Sequence, residues 1–493
     1  MSAKIIPEQT FMKLTSPVLS GNKEFNERVS LFKKIDHLLV SGGVENALKL
    51  FMINKEELEL GHQLEVADQI KLQRNTSLCL RTNIARVLSG RSFKEFAVEL
   101  SDSFTLQSFC GYDHPSVKKV PSRSKLHTLS QFIPSELINK TIDELSKYLF
   151  QKKNNLNVEF DCSSLFMDST CMELNIHHPV DWVLLKDAVI TIMKSIKNIR
   201  SHGIKHRIAP PDDFIKQVNN ISMAITMTKT VRNGDAKKKR KGLFRKLKAL
   251  LKTCEGHGNR YLKVLQSKWN SSDLSFKEAE QISNRMINVL SKVDEVIHQA
   301  HERVIGERQV RNTQKILSLY EQHAKVYKRG KSGADVEFGL QLFIAESVDG
   351  LIVNWNIHDS QPKHDSSFVK PCIKALQSIN LNPKNVSGDR GFSKKKTSDF
   401  LSDEGINDYV CPKNKALLNK KLKSKKFREF ANRRSQTEGR IGIIKNKFLG
   451  GVLRTKGFEN QKTEVAWAVL AHNLWVAARK ISEPEELPLK LAS

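Results

Sequence analysis

The alternation of strand-like and helix-like segments over the C-terminal two thirds of the chain most constrains its fold. Residues 156–174, LNVEFDCSSLFMDSTCMEL, show β-type alternation and include the short apolar run Leu165 to Met167, so they predict a strand. A helical pattern then continues to about Tyr327. Residues 336–357 are two alternating apolar runs on either side of SVDG, and they predict a β-hairpin.

Helices and strands alternate after this hairpin. The pattern predicts a helix at 365–378, a strand at 385–387, a helix at 394–403, a strand at 408–412 and a helix that includes 433–445. A three-stranded meander followed by parallel strands separated by helices is the RNase H-like arrangement. We therefore predict a mixed, helix-rich α/β fold, in which a long helical insertion interrupts the RNase H-like domain after its first strand.

The chain is long enough for several domains. We predict a helical region of unknown role at 1–78 and a helix-turn-helix-like DNA-binding domain at 79–152. The RNase H-like domain would occupy 153–480, with its insertion at about 200–328, and residues 481–493 would be a tail.

The helix-turn-helix prediction depends on short helices punctuated by glycine and proline. Ser103 and Ser122 are suitable N-caps, and a basic helix begins near Arg123. Two short helices and a turn before a basic helix would suit DNA binding. An ordinary small helical domain fits these residues equally well.

The charge of the chain favours a polyanionic partner. Its 493 residues carry a formal net charge of +28, with a pI of about 9.7. DNA, RNA or an anionic membrane surface would balance such an excess. No apolar run reaches the length of about 18 residues that a membrane span needs, so we expect no membrane partner. Seven scattered cysteines without a CxxC pair predict reduced, mostly buried thiols in a cytosolic protein.

The stretch RRSQTEGRIGIIK, residues 433–445, holds one acid in the most basic part of the chain. Between Cys411 and Lys456 there are fifteen Lys and Arg residues but only two acids, Glu429 and Glu438. On a helix, Arg434 and Lys445 would share one face with Glu438. Glu438 could be a metal ligand between phosphate-binding cations, or it could form a solvated pair with Arg434; the helix alone does not decide.

Two further acids would converge with Glu438 on the predicted fold. Asp168 would lie on the first, central strand, and Asp389 ends the strand before GDRGF. The spacings of 221 and 49 residues are explained by the helical insertion and by the later strand, helix and basic tract. Three such carboxylates could hold two Mg²⁺ ions, one activating water or a 3′-hydroxyl and the other stabilising the leaving oxygen.

These segments resemble a known enzyme family. RRSQTEGRIGIIK is similar to the R-x3-E-x6-K signature of the DDE transposases of bacterial insertion sequences, and GDRGF resembles the motif around their second aspartate. MDSTCMELNIHHPVDWVLLKDAV, YKRGKSGADVEFGLQLFIAE and LAHNLWVAARK are similar to further family segments. The resemblance runs from about Leu80 to Lys480, with five motifs in the family's order.

The resemblance implies a cut-and-paste transposase of the RNase H-like superfamily that binds inverted terminal repeats and uses Mg²⁺ or Mn²⁺. Asp168, Asp389 and Glu438 would be the catalytic, metal-binding triad, and the cations at 434 and 445 would contact DNA. Further candidate DNA contacts are Arg390, Arg440, Lys447, Arg123 and Lys125. Ala431 stands where a neighbouring group of the family has tyrosine, which leaves the handling of the DNA end, including hairpin formation, open.

The implied partner is double-stranded DNA, at transposon ends and at the target, in a bacterial cytoplasm and associated with the nucleoid. Bringing two ends together suggests a homodimer on DNA. No nucleotide cofactor is expected, because GKSG at 330–333 lacks the first glycine of a P-loop. We interpret Asp181 and Asp365 as helix N-caps.

Three alternatives remain. A non-catalytic, domesticated or decayed DNA-binding protein would share the charge and the helix-turn-helix. A metal-dependent nuclease would cut DNA without joining strands. A tyrosine recombinase would need an HxxR sequence, which HGNR at 257–260 supplies, but this match lies in the helical insertion without the surroundings that such an enzyme requires.

Overall fold

A computed structural model describes most of the chain, and the described residues belong to two compact units. The sheet unit comprises 1–172, 341–358 and 363–493, and the helical unit comprises 173–340 and 359–362. The described ranges are 5–6, 21–113, 119–152, 154–177, 180–228, 234–331, 334–359 and 363–483. Most of the predicted tail, after residue 483, lies outside them, as do Ser332 and Gly333 of GKSG.

The N-terminal part of the sheet unit is helical. Its described helices are α1 (Lys23–Ser41), α2 (Val44–Leu60), α3 (Val66–Ser89), α4 (Phe93–Asp102), α5 (Phe104–Cys110), α6 (Arg123–Ser130) and α7 (Ser135–Leu149). Ser103 Oγ accepts from the backbone N–H of Leu106, and Ser122 Oγ from that of Lys125. Both predicted N-caps are therefore confirmed, whereas the DNA-binding role of α4 to α6 stays a prediction.

A buried ionic cluster joins the first three helices. Arg81 on α3 donates to Glu45 on α2, with Nη2 and Oε2 2.7 Å apart, and to Asp36 on α1, with Nη1 and Oδ1 2.5 Å apart. It also donates to the carbonyl oxygen of Phe109. Since each partner is on a different element, this one guanidinium fixes the packing of the N-terminal helices.

Six strands are described: β1 (Ser164–Glu173), β2 (Lys325–Lys331), β3 (Ala334–Glu346), β4 (Ile352–His358), β5 (Asn385–Gly388) and β6 (Asn407–Asp408). The order in the sheet unit is β4-β3-β1-β5-β6. The predicted hairpin is the antiparallel pair β3 and β4, and β5 runs parallel to both β1 and β6. The strand β1 is therefore central, as predicted.

Two helices cover the core of this sheet. They are α13 (Ser366–Ser378) and α14 (Lys395–Asp403), which confirm the predicted helices to within one residue. Leu165 and Met167 of β1 and Val386 of β5 are buried in one cluster with Val369 and Leu401 of these helices. The apolar residues that predicted the strands are thus the residues that the sheet buries.

The chain then continues into α15 (Lys415–Lys421), α16 (Lys425–Ile443), a π-helical turn (Ile444–Phe448) and α17 (Phe458–Lys480). Most residues of α17 are buried. Its Trp467 Nε1–H donates to the carbonyl oxygen of Ser130, 3.0 Å away. Its Asn473 side chain bonds both backbone groups of Ile352 on β4, so α17 joins the N-terminal helices to the sheet.

The helical unit is built from α8 (Asp181–Ser201), α9 (Pro211–Met227), α10 (Gly234–Lys268), α11 (Phe276–Leu290) and α12 (Val293–Ala300) around one apolar core. It also contains β2, which pairs antiparallel with the first half of β3. Leu247 and Leu251, in the basic run 237–252 of α10, are buried in this core.

The mixed, helix-rich α/β class is confirmed, with two local differences. The strand predicted at 408–412 is β6, only Asn407–Asp408, although the N–H groups of Tyr409 and Cys411 still donate to β5. Asp181 is not an N-cap: it is the first residue of α8, and its buried carboxylate accepts from Gln299 and Arg303. All seven cysteines are free thiols and five are buried, as predicted.

Candidate active site

Asp168 and Asp389 lie side by side at the centre of the sheet. Met167 of β1 pairs with Gly388, the last residue of β5, in parallel register, and each aspartate is the next residue along the chain. Adjacent parallel strands point the same way, so consecutive positions after a register pair stay together. The sheet therefore brings together two acids that are 221 positions apart in sequence.

A tight turn orients Asp389. This residue caps the 3₁₀ turn Arg390–Phe392, and its Oδ1 accepts from the backbone N–H of Gly391 at 2.7 Å. The Phe392 side chain is fully buried below the turn. The turn thus holds the carboxylate at the end of β5 while Arg390 stays exposed.

The environment of Asp168 favours its neutral form. Burial, together with the neighbouring negative charges of Asp389 and Glu438, raises the pKa of Asp168 to about 6, although the Ser169 N–H and Arg434 act in the opposite direction. The Ser169 N–H donates to Asp168 Oδ1 at 2.8 Å. A carboxylate crowded by other carboxylates in this way would be relieved by a bound cation.

Glu438 lies on α16 within the electrostatic reach of Asp168. Its Oε1 is 3.7 Å from Arg434 Nη1, one helical turn earlier, and its side chain is 58% exposed. Both interpretations of Glu438 therefore find support: the Arg–Glu pair exists, and the same carboxylate is near enough to Asp168 to raise its pKa. Lys445 lies in the π-helical turn after α16.

Aromatic stacking docks α16 on the sheet. The Phe430 ring stacks on Tyr409 with centroids 4.2 Å apart, and on Phe166 of β1 at 5.6 Å. The Arg433 guanidinium lies over the Phe166 ring, 4.5 Å from its centroid. Since Phe166 is two residues before Asp168, these contacts bring the glutamate helix close to the first aspartate.

Asp365 is a fourth acid at the site, and the sequence interpretation as an N-cap missed it. The residue does occupy the N-cap position of α13, but its side chain makes no capping bond. Its Oδ1 instead accepts from Ser169 Oγ at 2.5 Å and from Gln341 Nε2 at 3.4 Å. Burial raises the pKa of Asp365, and the charge of Asp389 adds to this, whereas the Ser169 hydroxyl opposes it.

Gly391 separates Asp365 from Asp389. A Cβ atom at Gly391 would stand 2.1 Å from Asp365 Oδ2 and 2.9 Å from Asp389 Oδ1, so both carboxylates approach this backbone closely. Only glycine leaves this space. In the sequence, the sign of this close approach was Gly391 itself, two residues after Asp389.

Glu346 is a second acid that sequence reasoning missed. It is the last residue of β3, is fully buried, and accepts from Arg433, Thr437 and Arg440 of α16. The only hint in the sequence was an acid at the end of an apolar strand, which is also common beside a hairpin turn.

The predicted DNA-contacting cations differ in availability. Arg123 and Lys125 are exposed on α6, as is Arg390 after β5. The Arg440 side chain is only 18% exposed, because its guanidinium pairs with Glu346. Lys447 lies over the Trp475 ring, 4.0 Å from its centroid, and burial lowers its pKa together with the charge of Arg479.

The atoms at the site that could bind a metal ion are carboxylate oxygens, which are the type of ligand that Mg²⁺ and Mn²⁺ prefer. Within the part of the chain that the structure describes, no three His, Cys, Asp or Glu side chains are close enough together to bind one metal ion. The site thus places Asp168 beside Asp389, with Asp365 across Gly391 and Glu438 within electrostatic reach of Asp168.

Comparison with known families decides the assignment of this domain. Residues 293–474 match the family model described as "Transposase DDE domain". The match covers less than half of the chain, and this part of the chain is similar to a transposase DDE domain. The matched range includes Asp389, Glu438 and the basic helix between them, but Asp168 precedes it.

The family match is consistent with the predicted resemblance and supports an enzyme that acts on DNA, in a family whose chemistry generally uses divalent metal ions. No curated protein and no solved structure matches this chain. None of its described helices is long and apolar enough to cross a membrane.

Proposed function

We propose that this protein is a transposase that binds the terminal inverted repeats of its own element, cuts the DNA there and joins the freed ends to target DNA. The observation that carries the proposal is the pairing of Asp168 with Asp389 on adjacent strands, with Glu438 near enough to raise the pKa of Asp168. The strand order β4-β3-β1-β5-β6, with β5 and β6 parallel, supports an RNase H-like assignment.

The proposed triad is Asp168, Asp389 and Glu438, which would hold Mg²⁺ or Mn²⁺, as two ions. When bound, such ions supply an activated nucleophile and stabilise charge on the leaving oxygen. The chain's own contribution is to hold the three carboxylates near one another and to keep Arg434 beside Glu438. Arg434 would also bind the DNA phosphate that approaches this helix.

The excess of positive charge supports DNA as the substrate. Arg390 is exposed next to the second aspartate, and Arg123 and Lys125 are exposed on α6. We assign these cations, with Arg434, Lys445 and Lys447, to phosphate contacts. DNA affinity should therefore fall steeply as the salt concentration rises. In this proposal α4 to α6 are the helix-turn-helix that recognises the terminal repeats, and two copies of the chain assemble on a pair of ends.

The chemistry needs two displacement steps. Water attacks the phosphodiester at the transposon end, which breaks the bond to the 3′-oxygen and leaves a 3′-hydroxyl. That hydroxyl then attacks a phosphodiester of the target, forming one bond and releasing one 3′-hydroxyl of the target strand. The strands exchange partners directly, so no covalent enzyme–DNA intermediate is required.

The test is cleavage and strand transfer on labelled DNA with the element's own ends, in Mg²⁺. Wild type should cut and join, whereas Asp168→Asn and Glu438→Gln should bind the ends and do neither. Glu429→Gln is the matched control, because Glu429 is an exposed acid on the same helix, nine residues earlier. It should behave as wild type.

Each alternative has its own outcome in this assay. Cutting without joining would identify a metal-dependent nuclease. End binding without cutting by wild type, beside an active control transposase, would identify a non-catalytic DNA-binding protein. A covalent protein–DNA adduct would point instead to a tyrosine recombinase.

A further inference from the structure

The Glu346 carboxylate is fully buried and bonded to three side chains of one helix. Its Oε1 accepts from Arg433 Nη1 at 2.7 Å and from Thr437 Oγ1 at 2.9 Å, and its Oε2 accepts from Arg440 Nε at 3.1 Å. Both carboxylate oxygens thus accept hydrogen bonds, and neither is exposed to solvent. One buried carboxylate on the sheet therefore accepts hydrogen bonds from three side chains of α16.

The spacing of these donors fixes the rotation of α16. Positions 433, 437 and 440 are i, i+4 and i+7, so their side chains lie on one helical face. Glu438 follows Thr437 directly and therefore points about 100° away from this face. Any rotation of α16 about its axis would move Glu438 and would break the bonds to Glu346 at the same time.

The hairpin turn after Glu346 also contacts the side chains of α16. Arg433 Nη2 donates to the carbonyl oxygens of Ser347 and Val348. Gly350 has a φ of +83°, and a Cβ there would stand 2.1 Å from Arg440 Nη2. The turn is therefore shaped around the two guanidinium groups, with glycine where Arg440 needs the space.

We propose that Glu346 is a positioning residue for catalysis, which sets the rotation of α16 and so directs Glu438 toward Asp168 and Asp389. This inference rests on the proposed function of the triad. A buried ion pair contributes little to stability compared with apolar packing, but its directional bonds select one geometry. Stacking of the Phe430 ring packs α16 against the sheet, and the hydrogen bonds to Glu346 determine which face of α16 is turned toward the two aspartates.

Glu346→Gln is the central variant, since glutamine keeps the shape and one acceptor oxygen but loses the charge. Displacing a catalytic group by about 1 Å can cost about 100-fold in rate. We expect single-turnover cleavage in Mg²⁺ to fall about 10- to 100-fold, while the Kd for end DNA in Ca²⁺ changes less than about threefold. Mn²⁺ should restore part of the rate, because Mg²⁺ demands the stricter ligand geometry.

Four further variants distinguish a positioning defect from simple misfolding. Thr437→Val removes one donor with little change in shape and should show a weaker form of the same defect. Arg440→Lys keeps the positive charge and should retain more activity than Arg440→Ala. Val218→Ala, in the core of the helical unit, provides a comparable loss of stability away from the site, and it should keep the wild-type rate when fully folded.

The outcomes separate this inference from the function on which it rests. If wild type cuts and Glu346→Gln cuts equally well, or loses only as much rate as Val218→Ala, the positioning role is wrong and the triad stands. If wild type does not cut, and if Asp168→Asn and Glu438→Gln bind Mn²⁺ as tightly as wild type does, the proposed function is wrong. The positioning role of Glu346, which rests on it, is then wrong as well.

Discussion

Asp168 and Asp389 directly follow Met167 and Gly388, which form a register pair between the neighbouring parallel strands β1 and β5. The backbone of the sheet sets this relationship, so it does not depend on either carboxylate. The chemistry at the site then depends on finer features: a glycine between two acids, a serine that bonds one of them, and the charge state of Asp168. Each of these features predicts a measurable effect.

Gly391→Ala should disable the site without unfolding the protein. Its Cβ would stand 2.1 Å from Asp365 Oδ2 and 2.9 Å from Asp389 Oδ1, so one or both carboxylates must move. We expect a loss of about 100-fold in single-turnover cleavage, with end binding in Ca²⁺ nearly unchanged. Cleavage and binding on the same labelled end DNA would measure both.

Gly256→Ala is the matched control for this change. Gly256 is exposed on α10, and a Cβ there would meet no atom within 4 Å. Alanine should stabilise this helix by about 1 kcal/mol and leave cleavage unchanged. Equal cleavage by Gly391→Ala and Gly256→Ala would show that the space between Asp365 and Asp389 is unimportant.

Ser169→Ala should destabilise the sheet unit by about 1–3 kcal/mol, because the half-buried Asp365 carboxylate loses its hydroxyl donor. Gln341 remains as a donor at 3.4 Å and cannot replace it fully. Urea denaturation in EDTA would measure the free energy of unfolding. Ser378→Ala is the control, since its Oγ donates only to the carbonyl oxygen of Ala375 on an exposed helix surface. Equal losses in the two variants would contradict the prediction.

Local patterns predicted much of the fold, because they act through neighbouring residues. Ser103 and Ser122 cap helices through bonds that reach three residues along the chain. The alternation around SVDG predicted the hairpin, since side chains alternate in the same way on any strand. The proximity of Asp168 and Asp389 followed from the expected fold, in which the first strand is central and the acids of separate elements converge.

The missed acids depend on partners that are distant in sequence. Asp365 looks like a helix cap because caps are defined locally, whereas its partner Ser169 is 196 residues away. Glu346 bonds residues 87 to 94 positions later, and nothing in its own surroundings distinguishes it from a surface acid beside a turn. Sequence patterns of this kind predict which elements form, and they do not predict which faces of those elements meet.

Arg81→Ala should destabilise the N-terminal helices by about 3–5 kcal/mol, because it leaves the buried Glu45 carboxylate without its guanidinium partner. Arg28→Ala is the control, as Arg28 pairs with Glu99 while its own side chain is 41% exposed. Such an exposed pair should contribute no more than about 1 kcal/mol. Thermal and urea denaturation of the two variants would test the contrast, which similar losses would refute.

Asp168→Asn should stabilise the metal-free protein at neutral pH. The pKa of Asp168 is raised from 3.8 to about 6 in the folded state, so the folded protein holds a proton more tightly than the unfolded chain. The resulting stability is complete below about pH 4 and is lost as the pH rises through about 6. Asparagine stays neutral and keeps the oxygen that accepts from the Ser169 N–H, so the variant avoids this loss.

The expected difference is therefore small near pH 4 and reaches up to about 3 kcal/mol near pH 7.5. Urea denaturation of both proteins in EDTA, at these two pH values, would measure it. Asp273→Asn, at an exposed acid of the helical unit, should change the free energy of unfolding by less than about 0.5 kcal/mol at either pH. Adding Mg²⁺ near pH 7.5 should stabilise wild type and not Asp168→Asn, because a cation that needs this carboxylate binds only the folded wild type. An Asp168→Asn variant that is no more stable than wild type near pH 7.5 would mean that Asp168 is not held in a charge-repelling environment.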